Sequence, residues 1–388
     1  MSNDPIAAPL VFKFGGSSFV ELDAYHRIAD YVAARLRESG RQAVVVVSAM
    51  SGTTGKLLEA LLAVNEAPPS AALSMALPSG ETTSAGLLIA ALDSAGIAAD
   101  GLQGNQIGLT SDGPADRGTL REVKADALRE MLSRVTVVVL PGGQGADASG
   151  AVTMLGRNSS DLSAIALAGE LGSGECELFS DVPGVCSADP YLVPTARVLT
   201  EVDYRTMCLL SEAGAKVIHG QAVRWAADNN VKIICRSLPP AAASVTTIAA
   251  GGPRAAVTLH DRGDVWTFRS PRARQTAIDA LADAGLESLA IDVGGTHLVV
   301  NTFGLAETAA ACCADGTLSK QLVLLTVLHA DGAVSRLLVP RAEAGAQLLH
   351  QHDLLYPTKD LGPEETLGLP AKQRSELSGV LLGDEANR

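Results

Sequence analysis

A lysine and two glycines stand close together near the start of the chain, in the segment Lys13-Phe14-Gly15-Gly16-Ser17-Ser18. Glycine lets backbone N–H groups approach an anion closely, and a lysine ammonium group can neutralise phosphate charge. The segment is therefore a candidate phosphate cradle. It matches neither the P-loop nor the dinucleotide-binding fingerprint, and a strand that ends in a tight turn is the alternative explanation.

Two segments rich in small polar residues could bind a ligand or simply begin a helix. Ser48-Ala49-Met50-Ser51-Gly52-Thr53-Thr54-Gly55-Lys56 offers hydroxyls and glycines for an anion site or for a helix cap. In Leu155-Gly156-Arg157-Asn158-Ser159-Ser160-Asp161, Arg157 could grip a carboxylate through two hydrogen bonds while Asp161 accepts from an amino group. Ser160 or Asp161 could instead only cap the apolar helix that follows.

Two more segments carry charge at the ends of elements. Phe179-Ser180-Asp181-Val182-Pro183-Gly184-Val185 puts an acidic residue at a strand end, where it could hold a ribose or orient a lysine. Ordinary turn chemistry is the alternative. Gly214-Ala215-Lys216-Val217-Ile218-His219 places a lysine near a helix start, where it would help to bind phosphate unless it is a solvated surface residue.

Strands alternate with helices along the first 237 residues. Buried strands are predicted at 10–14, 44–47, 135–140, 175–180 and 231–235. Helices are predicted at 21–39, 57–64, 80–95, 121–132, 160–171 and 213–229. The alternation predicts an α/β fold with a doubly wound, mostly parallel sheet. Its ligand site should lie at the carboxyl ends of the strands.

The pattern changes after a Pro/Ala/Gly-rich stretch, 238–254, which predicts a linker between a catalytic domain over 1–237 and a second region over 255–358. Strands are predicted there at 257–259, 265–268, 289–291, 298–303, 322–328 and 335–339, and helices at 275–284, 305–314 and 342–350. This βαββαβ-like order predicts small ferredoxin-like α+β modules, between one and a half and two of them. The polar tail, 359–388, is expected to be loosely ordered.

Composition limits the classes of function. The chain has 388 residues, with 30 Lys+Arg against 43 Asp+Glu and a net charge of −13. This acidic balance and an aromatic content of 3% argue against nucleic acid as a partner. Neither a signal peptide nor an apolar run of ~20 residues is found, so no membrane association is expected. The six cysteines lack metal-ligand spacing, and we expect no protein-bound metal and reduced thiols in a cytoplasmic protein.

Taken together, in order and spacing, six segments resemble the aspartokinases of the amino acid kinase superfamily over about residues 10–237. They are KFGGSS (13–18), VVVSAMSGTTGKL (45–57), SGETTSAGLL (79–88), MLGRNSSDLSAIALA (154–168), FSDVPGVCSADP (179–190) and EAGAKVIH (212–219). The resemblance implies transfer of the γ-phosphoryl group of ATP, carried with Mg²⁺, to the β-carboxylate of L-aspartate. It also implies that the C-terminal modules are ACT-like and that two chains form a homodimer through them.

The same resemblance implies a role for each candidate residue. The catalytic residues would be Lys13, Asp161 and Lys216. The amino acid would be bound by Ser48, Thr54, Glu81, Arg157 and Ser160. The nucleotide would be bound by Gly15, Gly16, Ser17, Ser180 and Asp181. Among these, Glu81 would meet the α-amino group of the substrate and Arg157 its α-carboxylate.

Several residues depart from the aspartokinase pattern. Asn158 and Ser159 replace two glycines, Cys186 replaces the usual tyrosine, and Tyr191 replaces the usual arginine. If position 159 needs a positive φ, serine there would be strained. These departures keep two alternatives open: a diverged kinase for another amino acid or related carboxylate in specialised metabolism, and a weakly active regulatory paralogue. The charged residues retained in the motifs argue against the paralogue, because such residues are expensive to bury without a use.

Overall fold

The structure is a computed structural model that describes residues 7–156, 159–215, 217–239, 244–261, 263–301 and 306–357. The chain forms two compact units. The first runs to Gly184 and resumes over Gln221–Ala249, and the second comprises Val185–Gly220 and the chain from Ala250 onward. The segment 185–220 therefore groups with the C-terminal part of the chain.

The strands are β1 Leu10–Phe14, β2 Ala43–Val47, β3 Ala99–Gly101, β4 Leu109–Asp112, β5 Thr119–Val123, β6 Val137–Pro141, β7 Gln144–Ala146, β8 Val152–Met154, β9 Glu175–Phe179, β10 Glu201–Asp203, β11 Lys232–Arg236, β12 Thr246–Ala249, β13 Ala256–His260, β14 Gly263–Phe268, β15 Ser288–Ile291, β16 Thr296–Asn301, β17 Thr317–Leu318, β18 Leu322–Leu328 and β19 Val334–Pro340. The helices are α1 Asp23–Ser39, α2 Thr53–Val64, α3 Ser70–Ala76, α4 Ser79–Ser94, α5 Asp126–Leu132, α6 Ser160–Glu170, α7 Tyr204–Glu212, α8 Gly220–Asp228, α9 Pro271–Asp283, α10 Ala306–Cys312 and α11 Ala344–Leu355.

The first unit is built around a mainly parallel sheet with β1 near its middle. Seven strands lie in the order β12-β11-β9-β1-β2-β6-β3. They are parallel except β12, which runs antiparallel to β11. The chain continues from β1 to β2 on one side and has β9 on the other, so the strand order reverses beside β1. The prediction of a doubly wound, mostly parallel sheet is confirmed.

Helices cover both faces of this sheet. Phe12 and Phe14 are fully buried in a core cluster with residues of α1 and α4, including Ile28 and Leu88. Side chains alternate along a strand, so Lys13 points to the opposite face. That face is covered by α6, which contacts β1, β2 and β9. A single strand therefore contributes an aromatic core to one face and a cation to the other.

A buried ion cluster stands on the α1 face. The Glu177 carboxylate of β9 lies 2.7 Å from Arg35 Nη1 and 3.2 Å from Arg236 Nη1. Arg35 also donates a hydrogen bond of 2.7 Å to the Tyr31 hydroxyl. Two arginines thus neutralise one buried carboxylate, which ties α1 to β9 and β11 beneath the strand ends.

A small second sheet of the first unit was not predicted. Its strands lie in the order β5-β4-β7-β8. The helix predicted over 121–132 is partly wrong, because its first residues belong to β5 and only 126–132 form α5. The sequence of β5, Thr119–Val123, has a β-branched residue at each end, which fits a strand once β4 supplies a partner.

The second unit contains one complete ferredoxin-like module. Its elements follow the order β14-α9-β15-β16-α10-β17, which is βαββαβ. In space the strands lie in the order β15-β16-β14-β17, and the β14–β16, β14–β17 and β15–β16 pairs are antiparallel. This agrees with the prediction of small α+β modules.

A second, smaller sheet in this unit is assembled from distant parts of the chain. Strand β13 pairs with β18, and β18 pairs with β19, both antiparallel. The complete module lies between β13 and β18 in the sequence. Helix α11 packs on this sheet and shares its core through Leu348. Three strands and one helix make an incomplete module, as the predicted count of one and a half to two implied.

The helix predicted over 213–229 is partly wrong: only α8, Gly220–Asp228, lies in that range, and a connecting segment separates it from α7, which ends at Glu212. Gly214 in this segment has φ +94°, and a Cβ there would lie 2.7 Å from the Cα of His260. The positive φ and the close approach both require glycine. The glycine therefore ends the first helix.

Three other expectations concern linkers, cysteines and membranes. The predicted linker 238–254 includes β12, and the tail 359–388 lies outside the described residues. All six cysteines are free thiols, and burial raises the pKa of Cys186 to about 12. In the described part of the chain, every helix is too short or too polar to cross a bilayer.

Breaking the ion cluster should destabilise the first unit. We expect Glu177→Ala to lower the free energy of unfolding by about 3 kcal/mol, because it leaves two partly buried arginines without their counter-charge. Denaturant unfolding measures this change. The matched control is Glu38→Ala, which removes an exposed carboxylate 3.8 Å from the same Arg35 and should change stability by less than about 1 kcal/mol. Equal effects of the two changes would contradict the assignment.

Candidate functional site

The central feature of the candidate site is an ion pair between β1 and α6. Lys13 Nζ lies 2.6 Å from Asp161 Oδ1, and the two side chains are only 14% and 6% exposed. A lysine on a strand in the middle of a buried sheet needs a counter-charge, and Asp161 in the first turn of α6 supplies it. The sequence-predicted residues Lys13 and Asp161 are therefore in direct contact, although 148 positions separate them.

The glycine turn after β1 is tightly packed, and a side chain at either glycine would be crowded. A Cβ at Gly15 would lie 3.2 Å from the carbonyl oxygen of Phe179 and 3.4 Å from Lys13 Nζ. A Cβ at Gly16 would lie 3.0 Å from the carbonyl oxygen of Ala49. The turn thus sits between the ends of β2 and β9, with the lysine ammonium group beside its backbone.

Two serines join the end of β2 to the start of α6. Ser48 Oγ donates to Ser160 Oγ over 3.0 Å. A Cβ at Gly142, just after β6, would lie 2.5 Å from that of Ser160, so this glycine allows α6 to approach the strand ends. Gly143 also donates its N–H to Ser163 Oγ over 2.9 Å. The sequence motifs do not include Gly142 and Gly143, although a Gly-Gly pair soon after the strand predicted at 135–140 was the available signal.

Glu81 stands in the first turn of α4 and points toward the loop after β2. Its Oε1 accepts a hydrogen bond of 3.3 Å from the N–H of Ala49. Burial raises the pKa of Glu81 from 4.5 to about 7. The loop after β2 therefore contacts α6 through Ser48 and α4 through the N–H of Ala49.

The end of β9 lies beside the glycine turn. The N–H of Gly15 donates to the carbonyl oxygen of Phe179 over 3.0 Å, and the N–H of Asp181 donates to Ser17 Oγ over 3.3 Å. Ser180 Oγ donates to the carbonyl oxygen of Val182 over 3.1 Å. The predicted nucleotide-binding residues of β1 and β9 are consequently neighbours.

The remaining predicted residues are less closely joined. Thr54 is partly buried at the start of α2, and within the described ranges its side chain makes no hydrogen bond to the other candidates. Arg157 and Lys216 lie outside the described residues. Ser159 has φ −86°, so serine is unstrained there, and its hydroxyl donates to the carbonyl oxygen of Gly156.

The arrangement suits the binding of two anionic or polar groups close together. The Lys13 ammonium group and the N–H groups of the glycine turn offer positive charge at one place. Hydroxyls of Ser48 and Ser160 and the carboxyl group of Glu81 offer acceptors and donors a short way along the strand ends. In the described part of the chain, no group of three or more His, Cys, Asp or Glu side chains could hold a metal ion.

A sequence model of the amino acid kinase family matches residues 8–237. The chain belongs to the amino acid kinase family. It is similar to the aspartokinase of Thermus thermophilus, with 39% identity over 230 residues, which is 59% of this chain and 56% of the relative. It is also similar to the aspartokinase of Mycolicibacterium smegmatis, with 37% identity over 231 residues, 59% of this chain and 55% of the relative. The chain spans about half the length of the curated relatives it matches.

Solved structures share the fold over most of the chain. Escherichia coli aspartokinase III in complex with aspartate and ADP (R-state) matches with a TM-score of 0.70 and 19% identity, covering 90% of this chain and 99% of that one. Aspartate kinase from Synechocystis matches with a TM-score of 0.56 and 23% identity, covering 94% of this chain and 72% of that one. The likeness extends beyond the residues matched by the curated relatives, and so includes the α+β modules.

The raised pKa of Glu81 predicts a pH-dependent stability. Between pH 4.5 and about 7 the folded protein keeps a proton that the unfolded chain has lost, so the free energy of unfolding falls as pH rises through this window. Glu81→Gln removes the ionisation but keeps the acceptor for Ala49. We expect the variant to be more stable than the wild type at pH 8, by at most about 3 kcal/mol, with the difference vanishing near pH 4.

Denaturant unfolding at both pH values measures the effect, and Glu59→Gln, at an exposed position of α2, is the matched control. A difference between Glu81→Gln and the wild type that stays constant from pH 4 to pH 8 would argue against the raised pKa of Glu81.

Proposed function

We propose that this chain is an ATP-dependent kinase that phosphorylates the side-chain carboxylate of L-aspartate and so forms an acyl phosphate. The buried Lys13–Asp161 pair beside the glycine turn is the observation that carries the proposal. The names of the curated relatives, aspartokinases, support aspartate as the acceptor. The Escherichia coli relative of the same fold binds aspartate and ADP, which supports the pairing of an amino acid with an adenine nucleotide.

On the phosphate side, Lys13 would neutralise negative charge on the transferring phosphoryl group. Asp161, at 2.6 Å, holds the ammonium group and so fixes where that charge lies. The N–H groups of Gly15 and Gly16 and the hydroxyl of Ser17 would contact the nucleotide phosphates. Ser180 and Asp181, which adjoin this turn through the bond from Asp181 to Ser17, would contact the rest of the nucleotide.

On the acceptor side, the residues around the β2 loop would hold the amino acid. Ionised Glu81 would attract the α-amino group, and Ser48, Ser160 and Thr54 would contact its polar atoms. Arg157, from its place in the sequence motif, would clamp the α-carboxylate. Lys216 would act on the phosphoryl group in concert with Lys13. The roles of Arg157 and Lys216 rest on the sequence motifs.

The chemistry needs positioning more than proton transfer. A side-chain carboxylate has an unperturbed pKa of ~4 and is ionised at pH 7, so no general base is required. Two anions must instead be held in line, and cations must lower their repulsion. Among the described residues, no three His, Cys, Asp or Glu side chains lie close enough together to hold a metal ion. We therefore expect Mg²⁺ to be held mainly by the ATP phosphates. When bound, Mg²⁺ adds charge neutralisation to that of Lys13.

An acyl phosphate can be trapped with hydroxylamine as a hydroxamate, which tests the acceptor directly. Purified protein with Mg·ATP and a panel of amino and carboxylic acids should give a hydroxamate with aspartate. A signal with another acid and none with aspartate would assign the protein to the diverged kinases. ATP binding without turnover of any acid would assign it to the regulatory paralogues. Either of these results would overturn the proposed activity.

The ion pair itself is tested by substitution. We expect Lys13→Ala and Asp161→Ala each to lower turnover about 100-fold or more, because the positive charge at the transferring group is lost or misplaced. Circular dichroism and thermal melting check that both variants stay folded. Lys232→Ala, at an exposed lysine at the start of β11, is the matched control and should retain wild-type turnover. Folded variants with unchanged turnover would remove Lys13 and Asp161 from the site.

We also propose a cytoplasmic homodimer that forms through the C-terminal region. Six free thiols fit a reducing compartment. Strand β19 is an edge of its sheet and has an exposed face that includes Leu337, so a second chain has a surface to cover. Light scattering after size-exclusion chromatography should give twice the mass of the chain, and a monomer would contradict the dimer.

A further inference from the structure

A buried glutamine of the first unit lies between the strand ends and the start of α4. Gln144 is the first residue of β7 and is only 3% exposed. It follows directly on Gly143, whose N–H donates to Ser163 of α6. A glutamine side chain carries two N–H donors and a carbonyl acceptor, and burial is costly unless they are paired. The partners of this amide therefore show which elements it holds together.

The amide of Gln144 pairs its nitrogen and its oxygen with two different elements. Its Nε2 donates over 3.0 Å to the carbonyl oxygen of Pro78 and over 3.0 Å to Thr82 Oγ1. Its Oε1 accepts a hydrogen bond of 3.0 Å from the N–H of Gly104, in the short 3₁₀ turn Gly104–Ile107. The reversed amide would place its oxygen against the carbonyl oxygen of Pro78, so the orientation is fixed. One side chain thus joins the 3₁₀ turn to the first turn of α4.

The two partners of Gln144 in α4 stand on either side of Glu81 in the sequence. Pro78 immediately precedes the helix, and Thr82 lies in its first turn. The N–H and the hydroxyl of Thr82 each donate over 3.1 Å to the carbonyl oxygen of Pro78. Gln144 therefore holds the stretch of backbone that carries Glu81.

The position of the Glu81 carboxylate depends on this backbone. Its hydrogen bond from the N–H of Ala49 is 3.3 Å long, which is longer than the usual 2.7–3.2 Å for such bonds. This bond alone holds the carboxylate weakly. A small shift of the first turn of α4 would therefore move the carboxylate away from the loop after β2.

From these contacts we propose that Gln144 is a positioning residue for the acceptor amino acid. By holding Pro78 and Thr82, it sets where the Glu81 carboxylate lies beside the loop after β2. The inference rests on the proposed function, in which Glu81 attracts the α-amino group of the acceptor. Gln144 acts through Glu81 and needs no contact with either substrate, and nucleotide binding at the glycine turn is independent of it.

The first test removes the amide while keeping the length of the side chain. Gln144→Met should raise the KM for aspartate, measured in the hydroxamate assay with the full-length chain, by roughly five- to tenfold. The kcat and the KM for ATP should change less than about twofold, because the Lys13–Asp161 pair and the glycine turn are untouched. Circular dichroism and thermal melting check that the variant is folded.

A second pair of variants tests the partner in α4. Thr82→Val removes the hydroxyl that accepts from Gln144 while keeping the shape of the side chain, so it should also raise the KM for aspartate. Thr82→Ser keeps the hydroxyl and should recover most of the wild-type value. If Gln144→Met does not fold, this pair makes the same comparison.

The matched control removes another hydrogen bond of α4. The Tyr25 hydroxyl lies 2.9 Å from Ser84 Oγ, about one turn beyond Glu81, and both residues are buried. Tyr25→Phe should lower the melting temperature about as much as Gln144→Met does. Its KM for aspartate should nevertheless stay within about twofold of the wild type, because the first turn of α4 keeps its contacts.

A double variant shows whether the effect passes through Glu81. In a Glu81→Gln background, Gln144→Met should raise the KM for aspartate by less than a further twofold, since the carboxylate that it positions is already gone. A purely structural role would instead produce the same fold-increase with and without the Glu81 carboxylate.

The outcomes separate this inference from the proposed function. With active wild-type protein, the positioning role alone is overturned by an unchanged KM for aspartate in folded Gln144→Met, by an equal rise in the KM for ATP, or by the same fold-increase in the Glu81→Gln background. Wild-type protein that phosphorylates no acid would overturn the proposed activity and the positioning role together. If the wild type phosphorylates a different amino acid, aspartate is overturned as the acceptor, and the KM for that acid decides the role of Gln144.

Discussion

The first unit depends on one electrostatic constraint, a cation on a buried strand. Lys13 lies on β1 between two fully buried phenylalanines, so burial of its ammonium group is costly unless an anion meets it. Asp161 does so from the start of α6. This contact brings α6 down onto the strand ends, and the approach in turn requires Gly142 after β6 and permits the Ser48–Ser160 bond. The same pair holds the Lys13 ammonium group beside the glycine turn, so the fold and the candidate site share one cause.

Much of the fold could be predicted because its elements are locally encoded. Runs such as Val44–Val47 favour buried strands because they are short and β-branched, and the βαββαβ order of the second unit is visible in the alternation of short apolar runs. Strands β4, β5, β7 and β8 were missed because they are short and depend on partners for their stability. The pairing of β13 with β18 was also missed, since nothing local in Ala256–His260 specifies a partner more than 60 residues away.

The sequence motifs predicted several residues that the structure brings together. Lys13, Asp161, Ser48, Ser160 and Glu81 come from four separate segments, and the parallel sheet brings those segments to one edge. Contacts between the motifs could not be predicted from the sequence. The hydrogen bond from the N–H of Ala49 to Glu81, for example, depends on how closely α4 packs against the loop after β2. The sequence also could not show that serine is unstrained at position 159, because only the backbone φ angle shows that this position needs no glycine.

The discontinuous sheet has a consequence for how the protein folds as it is synthesised. Strand β13 and the apolar residues Ala188, Val193 and Ala196 share a core with β18 and α11. Both β18 and α11 leave the ribosome well over a hundred residues after Ala188. Until then these residues lack their partners, and contacts so distant in sequence form slowly. Residues 185–199 should therefore be among the last parts of the chain to become protected from proteases or hydrogen exchange, after the parallel sheet has already formed.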